Sequence, residues 1–156
     1  MINIVIPMAG AGSRFAKAGY KNPKPFIDVL GKPMICHVLD NLNIPDAKFI
    51  LLTRFEHYNN EQETVKWIKS NYKVEFVMID KLTEGAACTV LHAHRLINND
   101  TPLLIANSDQ IVDMDISEYI NDSKKRGLDG SVLCFEDNDK KWSYAKLDKN
   151  RFITEI

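Results

Sequence analysis

Four short apolar runs, separated by stretches of helical periodicity, constrain this 156-residue chain more than any other feature. Ile2, Ile4, Val5 and Ile6 form a β-branched run that reads as a buried strand. Phe49–Leu52, Val74–Ile79 and Pro102–Ala106 repeat the signal. Between them, apolar residues recur every three or four positions. Met34, Ile35, Val38, Leu39 and Leu42 follow Pro33, whose missing N–H suits a first helical turn. Val65, Ile68 and Tyr72 face inward along Glu61–Tyr72, and Ala87, Val90, Leu91, His94 and Ile97 share one face of Glu84–Ile97. A fourth helix over Ser117–Arg126, a fifth strand over Gly130–Phe135, and strands at Tyr144–Leu147 and Phe152–Thr154 complete the expectation. Strands alternating with helices predict an α/β fold: a three-layer, Rossmann-like, mixed but mostly parallel sheet with helices on both faces. The length fits one domain, residues 1–156.

In such sheets ligands bind beyond the carboxyl ends of the strands. Three loops are expected at that edge: residues 8–14, Asp80–Gly85 and Asn107–Gln110. The first contains only small residues, Ala9, Gly10, Ala11, Gly12 and Ser13, between Met8 and Arg14. Glycine permits positive φ and close approach of the backbone to a ligand. Successive N–H groups in such a loop make a concave anion site, and Arg14 and Lys24 (within Asn22-Pro23-Lys24-Pro25) add two charges. The pattern reads as a phosphate cradle. A dinucleotide fingerprint would need glycine where Phe15 stands, and nothing after Gly10 supplies the Gly-Lys-Ser/Thr of a P-loop.

In the third loop, Asp109 follows the Leu103–Ala106 run. It is either a Mg²⁺-binding carboxylate at a strand end or a loop carboxylate. Asp113 and Asp115 compete for the metal role, although Asp115 with Glu118 three residues on suits a helix cap. His92 and His94 point to different sides of a helix, and His37 and His57 lack partners at ligand spacing. Met34 and Phe49 are expected in the core, and Lys124-Lys125-Arg126 forms a solvated helix end.

Composition narrows the class. Apolar residues make up 45% and charged residues 26%, as in ordinary globular proteins, and the net charge of −1 comes with no basic face for nucleic acid. No run is long enough to span a bilayer, and no signal-peptide pattern opens the chain. Cys36, Cys88 and Cys134 read as reduced core thiols, which points to the cytoplasm.

The strand, the G-x-G-x-R loop, Pro23-Lys24-Pro25 and Gly31-Lys32-Pro33-Met34 together resemble the bacterial nucleotidylyltransferases that activate sugar phosphates and related small phosphates. The resemblance extends through Leu82–Ala87 and Asn107–Gln110, nearly the whole chain. It implies a GT-A-like nucleotidyltransferase fold. The implied reaction attacks the α-phosphate of a nucleoside triphosphate with an acceptor phosphate and expels pyrophosphate. Arg14 would hold the β/γ-phosphates with the amides of Met8–Ser13, Lys24 would sit at the α-phosphate, and Asp109 would bear Mg²⁺. Asp80, Gly85 and Ala86 correspond to the segment that reads the base. Thymidine- and uridine-using relatives place a glutamine where Asp80 stands, five residues ahead of Gly85. A carboxylate accepts from the N4 amino group of cytosine, so the departure leans towards CTP, with a solvated surface carboxylate as the alternative.

Gln110, Tyr144 and Ala145 match the acceptor side, with alanine replacing a family glycine, and the nearest subgroup resemblance is to capsule-pathway cytidylyltransferases acting on phosphoglutamine. Alternatives are a sugar-1-phosphate uridylyl- or thymidylyltransferase, a glycosyltransferase of similar fold, and a non-catalytic nucleotide-binding module. Relatives continue with a Glu-Lys motif and a second metal carboxylate, so the chain is expected to be the N-terminal part of a longer domain. The partners implied are a nucleoside triphosphate and a small phosphorylated acceptor, with oligomeric state left open.

Overall fold

The computed structural model describes residues 1–156, which divide into two compact units, Met1–Glu118 and Tyr119–Ile156. In the first unit β1 (Ile2–Pro7), β4 (Ala47–Arg54), β5 (Val74–Ile79) and β6 (Leu103–Ile105) form one parallel sheet in the order β5-β4-β1-β6. The expected open, parallel α/β sheet is therefore present. All four strands end at one edge, and the order reverses direction at β1, the switch point at which such sheets place ligands.

The inner strands are buried on both faces, which is why β1 is apolar without alternation. Val5, Ile50 and Leu52 pack with Ile79, Val90 and Ala93 on one side. Ile4, Ile6 and Leu51 alternate to the other side and are fully buried. Helices α2 (Met34–Asn41) and α4 (Gln62–Asn71) contribute the buried side chains Ile35, Val38, Leu39, Val65 and Ile68 at the expected spacing. A short α3 (Phe55–Asn60) precedes α4, and Phe49 is in the core whereas Met34 is half-buried.

A small hairpin of β2 (Asp28–Val29) and β3 (Lys32–Pro33) was not legible as strands. Its turn residues Leu30 and Gly31 both have positive φ, 52° and 88°, the two-residue turn that suits a tight hairpin.

The third expected helix is corrected. It splits into α5 (Ala86–Leu91) and α6 (His94–Ile97). His92 and Ala93 donate to the carbonyls of Thr89 and Val90, three residues back rather than four. That tightening rotates the inward face. Thr89, Val90 and Ala93 are buried, while Ala87, Leu91 and His94 are exposed.

Helix α7 (Ile116–Lys125) begins as expected, with Asp115 Oδ1 accepting the Ser117 N–H at 2.8 Å. Lys124, Lys125 and Arg126 are solvent-exposed at its end. The second unit also holds a two-stranded antiparallel ribbon, β7 (Lys146–Leu147) and β8 (Ile153–Glu155). The fifth strand expected over Gly130–Phe135 does not form: Val132, Leu133 and Phe135 are exposed, and no ladder pairs the segment. Apolar β-branched residues make a strand only where a neighbour supplies the ladder.

Two thiols are also corrected. Cys36 is buried, but Cys88 and Cys134 are exposed, the former on the outer face of α5 and the latter in the unpaired 130–135 segment. No helix is long and apolar enough to cross a membrane.

Candidate nucleotide cleft

The loop after β1 leaves the sheet with its donors free. Met8 N–H still continues the ladder to Leu52 O at 2.9 Å, and Phe15 N–H donates to Gly12 O at 2.9 Å. Between them, the amides of residues 9–14 donate to no protein acceptor. A run of free N–H groups in a tight bend is the chemical basis of an anion cradle.

Of the two glycines, Gly12 is the one the backbone demands. It has φ 58° and ψ 23° and starts the short α1 (Ser13–Lys17), and a Cβ there would lie 3.5 Å from the Lys24 Cβ. Gly10 has no positive φ, and a Cβ would meet nothing within 4 Å.

The loop borders an open cleft of about 740 Å³ lined by Met8, Gly10–Phe15, Lys24, Ser108 and Asp109, with Tyr20 at its margin. Lys24 is carried by a 3-10 turn, Lys24–Phe26, anchored by buried Pro25 and Phe26. Its ammonium forms an ion pair with the carboxylate of Asp109, 85 residues away, and lies 5.3 Å from the Phe15 ring centroid. Asp109 sits in a turn beyond β6, where Ala106 N–H donates to Val5 O at 3.0 Å. Asn107 Nδ2 donates to Gln110 Oε1 at 2.7 Å, closing that turn. The cleft therefore gathers the glycine loop, Arg14, Lys24 and Asp109 at the switch point, joined by Phe15, Tyr20 and Ser108. Phe15 adjoins Arg14 in sequence, but its place beside the Lys24 ammonium depends on a tertiary contact that no local pattern specifies.

Other expected site residues lie elsewhere. Ala9 is buried, and its side chain packs in the core with Val5 and Leu52, so only its backbone faces the loop. Asp80 is exposed just past β5, and Gly85 and Ala86 open α5. Thr83 and Thr89 hydroxyls donate there to Gly85 O at 3.3 and 3.1 Å. None of these three lines the cleft, nor does Gln110. Tyr144 and Ala145 belong to the second unit, where the Tyr144 hydroxyl donates to Asp139 O at 2.9 Å.

A polar cluster outside the cleft braces α2. Tyr72 Oη donates to Asp40 Oδ1 at 2.9 Å, and Lys32 pairs with Asp40 Oδ2. Burial works to raise the Asp40 pKa, but the hydrogen bonds from Lys32 and Tyr72 outweigh it and hold the carboxyl below its ordinary range. Beside it, burial pushes the Cys36 thiol up to about 11.

Comparison with known proteins gives the same class. The chain is 31% identical to the bifunctional protein GlmU of Methanococcus vannielii over 127 residues, 81% of this chain and 29% of GlmU. It is 28% identical to mannose-1-phosphate guanyltransferase of Yarrowia lipolytica over 134 residues, 83% of this chain and 36% of that protein. Its alignments thus span about a third of each relative's length. The crystal structure of HddC from Yersinia pseudotuberculosis superposes with TM-score 0.62 at 23% identity, covering 79% of this chain and 54% of HddC, a likeness of fold. The family model described as Nucleotidyl transferase matches residues 4–156, and the chain belongs to that family.

Proposed function

We propose that this chain carries the nucleotide-binding half of an enzyme that transfers a nucleoside monophosphate from a nucleoside triphosphate to a small phosphorylated acceptor, releasing pyrophosphate. The observation that carries the reading is the convergence of a free-amide loop, a lysine and an aspartate on one cleft at the sheet's switch point. A phosphate nucleophile is already anionic near neutral pH, so the reaction needs charge neutralisation and alignment rather than a general base. Arg14 and the loop amides suit the β- and γ-phosphates. Lys24, which the Asp109 carboxylate and the Phe15 ring hold over the cleft, suits the α-phosphate, where negative charge builds.

The donor set fits a divalent cation shared with substrate. Nowhere does the chain group three ligating side chains, but Mg²⁺ commonly uses one or two carboxylates and completes its shell with phosphates and water. Asp109 would hold it, and bound metal would supply electrostatic stabilisation of the transferring phosphoryl group.

CTP is the favoured donor, supported by Asp80 at the carboxyl edge of β5, a pure acceptor suited to an exocyclic amino group. A phosphorylated amino acid such as phosphoglutamine, activated in the cytoplasm as a capsule precursor, is the acceptor favoured by the subgroup resemblance. A sugar 1-phosphate is the second reading, supported by the relative named for mannose 1-phosphate. Pyrophosphate release from CTP, UTP, dTTP and GTP with Mg²⁺ against phosphoglutamine, phosphocholine and sugar phosphates tests all of these. Absence of pyrophosphate release with every acceptor, measured on the enzyme that contains this half, overturns the proposal, and a clear preference for UTP or dTTP overturns CTP.

A further inference from the structure

Asp109 lies in a segment without regular structure, residues 106–115, and its position has to be set by something other than a ladder. At its start, Ala106 N–H bonds to β1. At its far side stands Asn41, the last residue of α2. The Asn41 side chain meets both backbone groups of Val112: Nδ2 donates to Val112 O at 2.8 Å, and Oδ1 accepts the Val112 N–H at 2.9 Å. This two-way pairing does what a neighbouring strand would do, and Asn41 is 71 residues from its partner. Asn41 itself is half-buried.

The same helix governs the other half of the ion pair. At its start, Met34 N–H donates to Ile27 O at 2.9 Å, immediately after the 3-10 turn that carries Lys24, and α2 packs against that turn. One rigid element thus fixes the cation at one end and the carboxylate's segment at the other.

We propose that Asn41 is a positioning residue that sets Asp109 against Lys24 and the bound metal, with α2 fixing the spacing. It does not touch the reacting groups and acts through the Val112 backbone. The inference rests on the reading of Asp109 as the metal carboxylate. Residues that orient a metal ligand typically change metal affinity by about 10- to 100-fold when removed.

The test uses Mn²⁺ binding, followed by electron paramagnetic resonance in the presence of CTP, together with metal-free CTP binding by calorimetry. Asn41→Ala is expected to weaken Mn²⁺ at least tenfold while metal-free CTP affinity stays within twofold. Tyr72→Phe removes a hydrogen bond from the adjacent residue of α2, Asp40, without reaching the 106–115 segment, and is expected to leave both unchanged. Mn²⁺ affinity within twofold of the parent in Asn41→Ala, or an equal loss in Tyr72→Phe, overturns the proposal. Asn41→Ser serves in place of alanine if the latter folds poorly. A parent protein with no CTP-dependent Mn²⁺ binding would sink the metal reading itself. The positioning role is then judged on the ligand-free protein. The Asp109 carboxyl and Lys24 ammonium resonances are expected to move towards their unpaired values in Asn41→Ala, and unmoved resonances overturn it.

Discussion

Lys24 and Asp109 neutralise each other across the cleft, an ammonium from the 3-10 turn Lys24–Phe26 meeting a carboxylate from the turn after β6. The two groups that chemistry would assign to phosphate and to metal thus hold each other. On the proposed reading, a metal–triphosphate complex would exchange one pair for two, with Asp109 holding the metal and Lys24 a phosphate. The side chains are 27% and 38% exposed, so the pair is worth about 0–1 kcal/mol, and a substrate displaces it at little cost.

Removing the cation tests its role at the reacting centre. Lys24→Ala is expected to lower kcat at least a hundredfold, because one preorganised charge contact contributes about 2.7–4 kcal/mol in the transition state. Nucleotide should still bind through Arg14 and the loop. Steady-state kinetics of the full-length enzyme beside calorimetry checks this, and near-parental turnover refutes the role.

Removing the carboxylate has two opposite effects. Asp109→Asn is expected to abolish metal-dependent turnover while tightening metal-free triphosphate binding a few-fold, since Lys24 is released from its partner. The gain is bounded at about fivefold by the modest strength of an exposed pair. Calorimetry with CTP in EDTA reads it directly, and weaker binding would contradict the competition.

The two loop glycines are expected to separate stability from binding. Gly12→Ala places a side chain at φ 58° and should cost about 1–2 kcal/mol in urea denaturation. Gly10→Ala meets nothing in the folded chain and should leave stability within about 0.5 kcal/mol. Its effect should fall on CTP affinity, where a methyl group obstructs close approach to the loop backbone.

Alkaline pH acts through the buried thiol. Burial raises the Cys36 pKa from its ordinary 9.0 to about 11, with the neighbouring Tyr72 hydroxyl acting in the opposite sense. The folded state therefore keeps this proton more tightly than the unfolded chain. Its contribution is complete below pH 9 and is lost as pH rises towards 11, on the order of 2–3 kcal/mol. Tyr72, raised mainly by burial and then by its bond to Asp40, shifts stability in the same direction. Denaturant titrations at pH 7, 9 and 10.5 should show the fall, and Cys36→Ala should lessen it. At pH 8 a thiol reagent should modify Cys88 and Cys134 in the native protein and reach Cys36 only after unfolding.

What the sequence determined by itself is what depends on near neighbours. The β-branched runs and helical stripes are local signals, and they gave the parallel α/β sheet and the edge at which the loops emerge. The small-residue loop with Arg14 and Pro23-Lys24-Pro25 marked the candidate phosphate cleft, because backbone freedom and charge are written in nearby residues. Where a signal needed a distant partner it failed. Gly130–Phe135 has strand composition but no ladder, and Glu84–Ile97 has helical periodicity but turns a different face inward once its bonds tighten at His92.

Only the tertiary structure decided that Lys24 reaches Asp109, that Phe15 lies beside that lysine, and that Asn41 holds Val112. Each of the two ion-pair and hydrogen-bond contacts joins residues at least 71 positions apart, and no local periodicity specifies them. They exist because burying both faces of β1 brings the loops of β1 and β6 to one point, and the packing of α2 then fixes the distance between them.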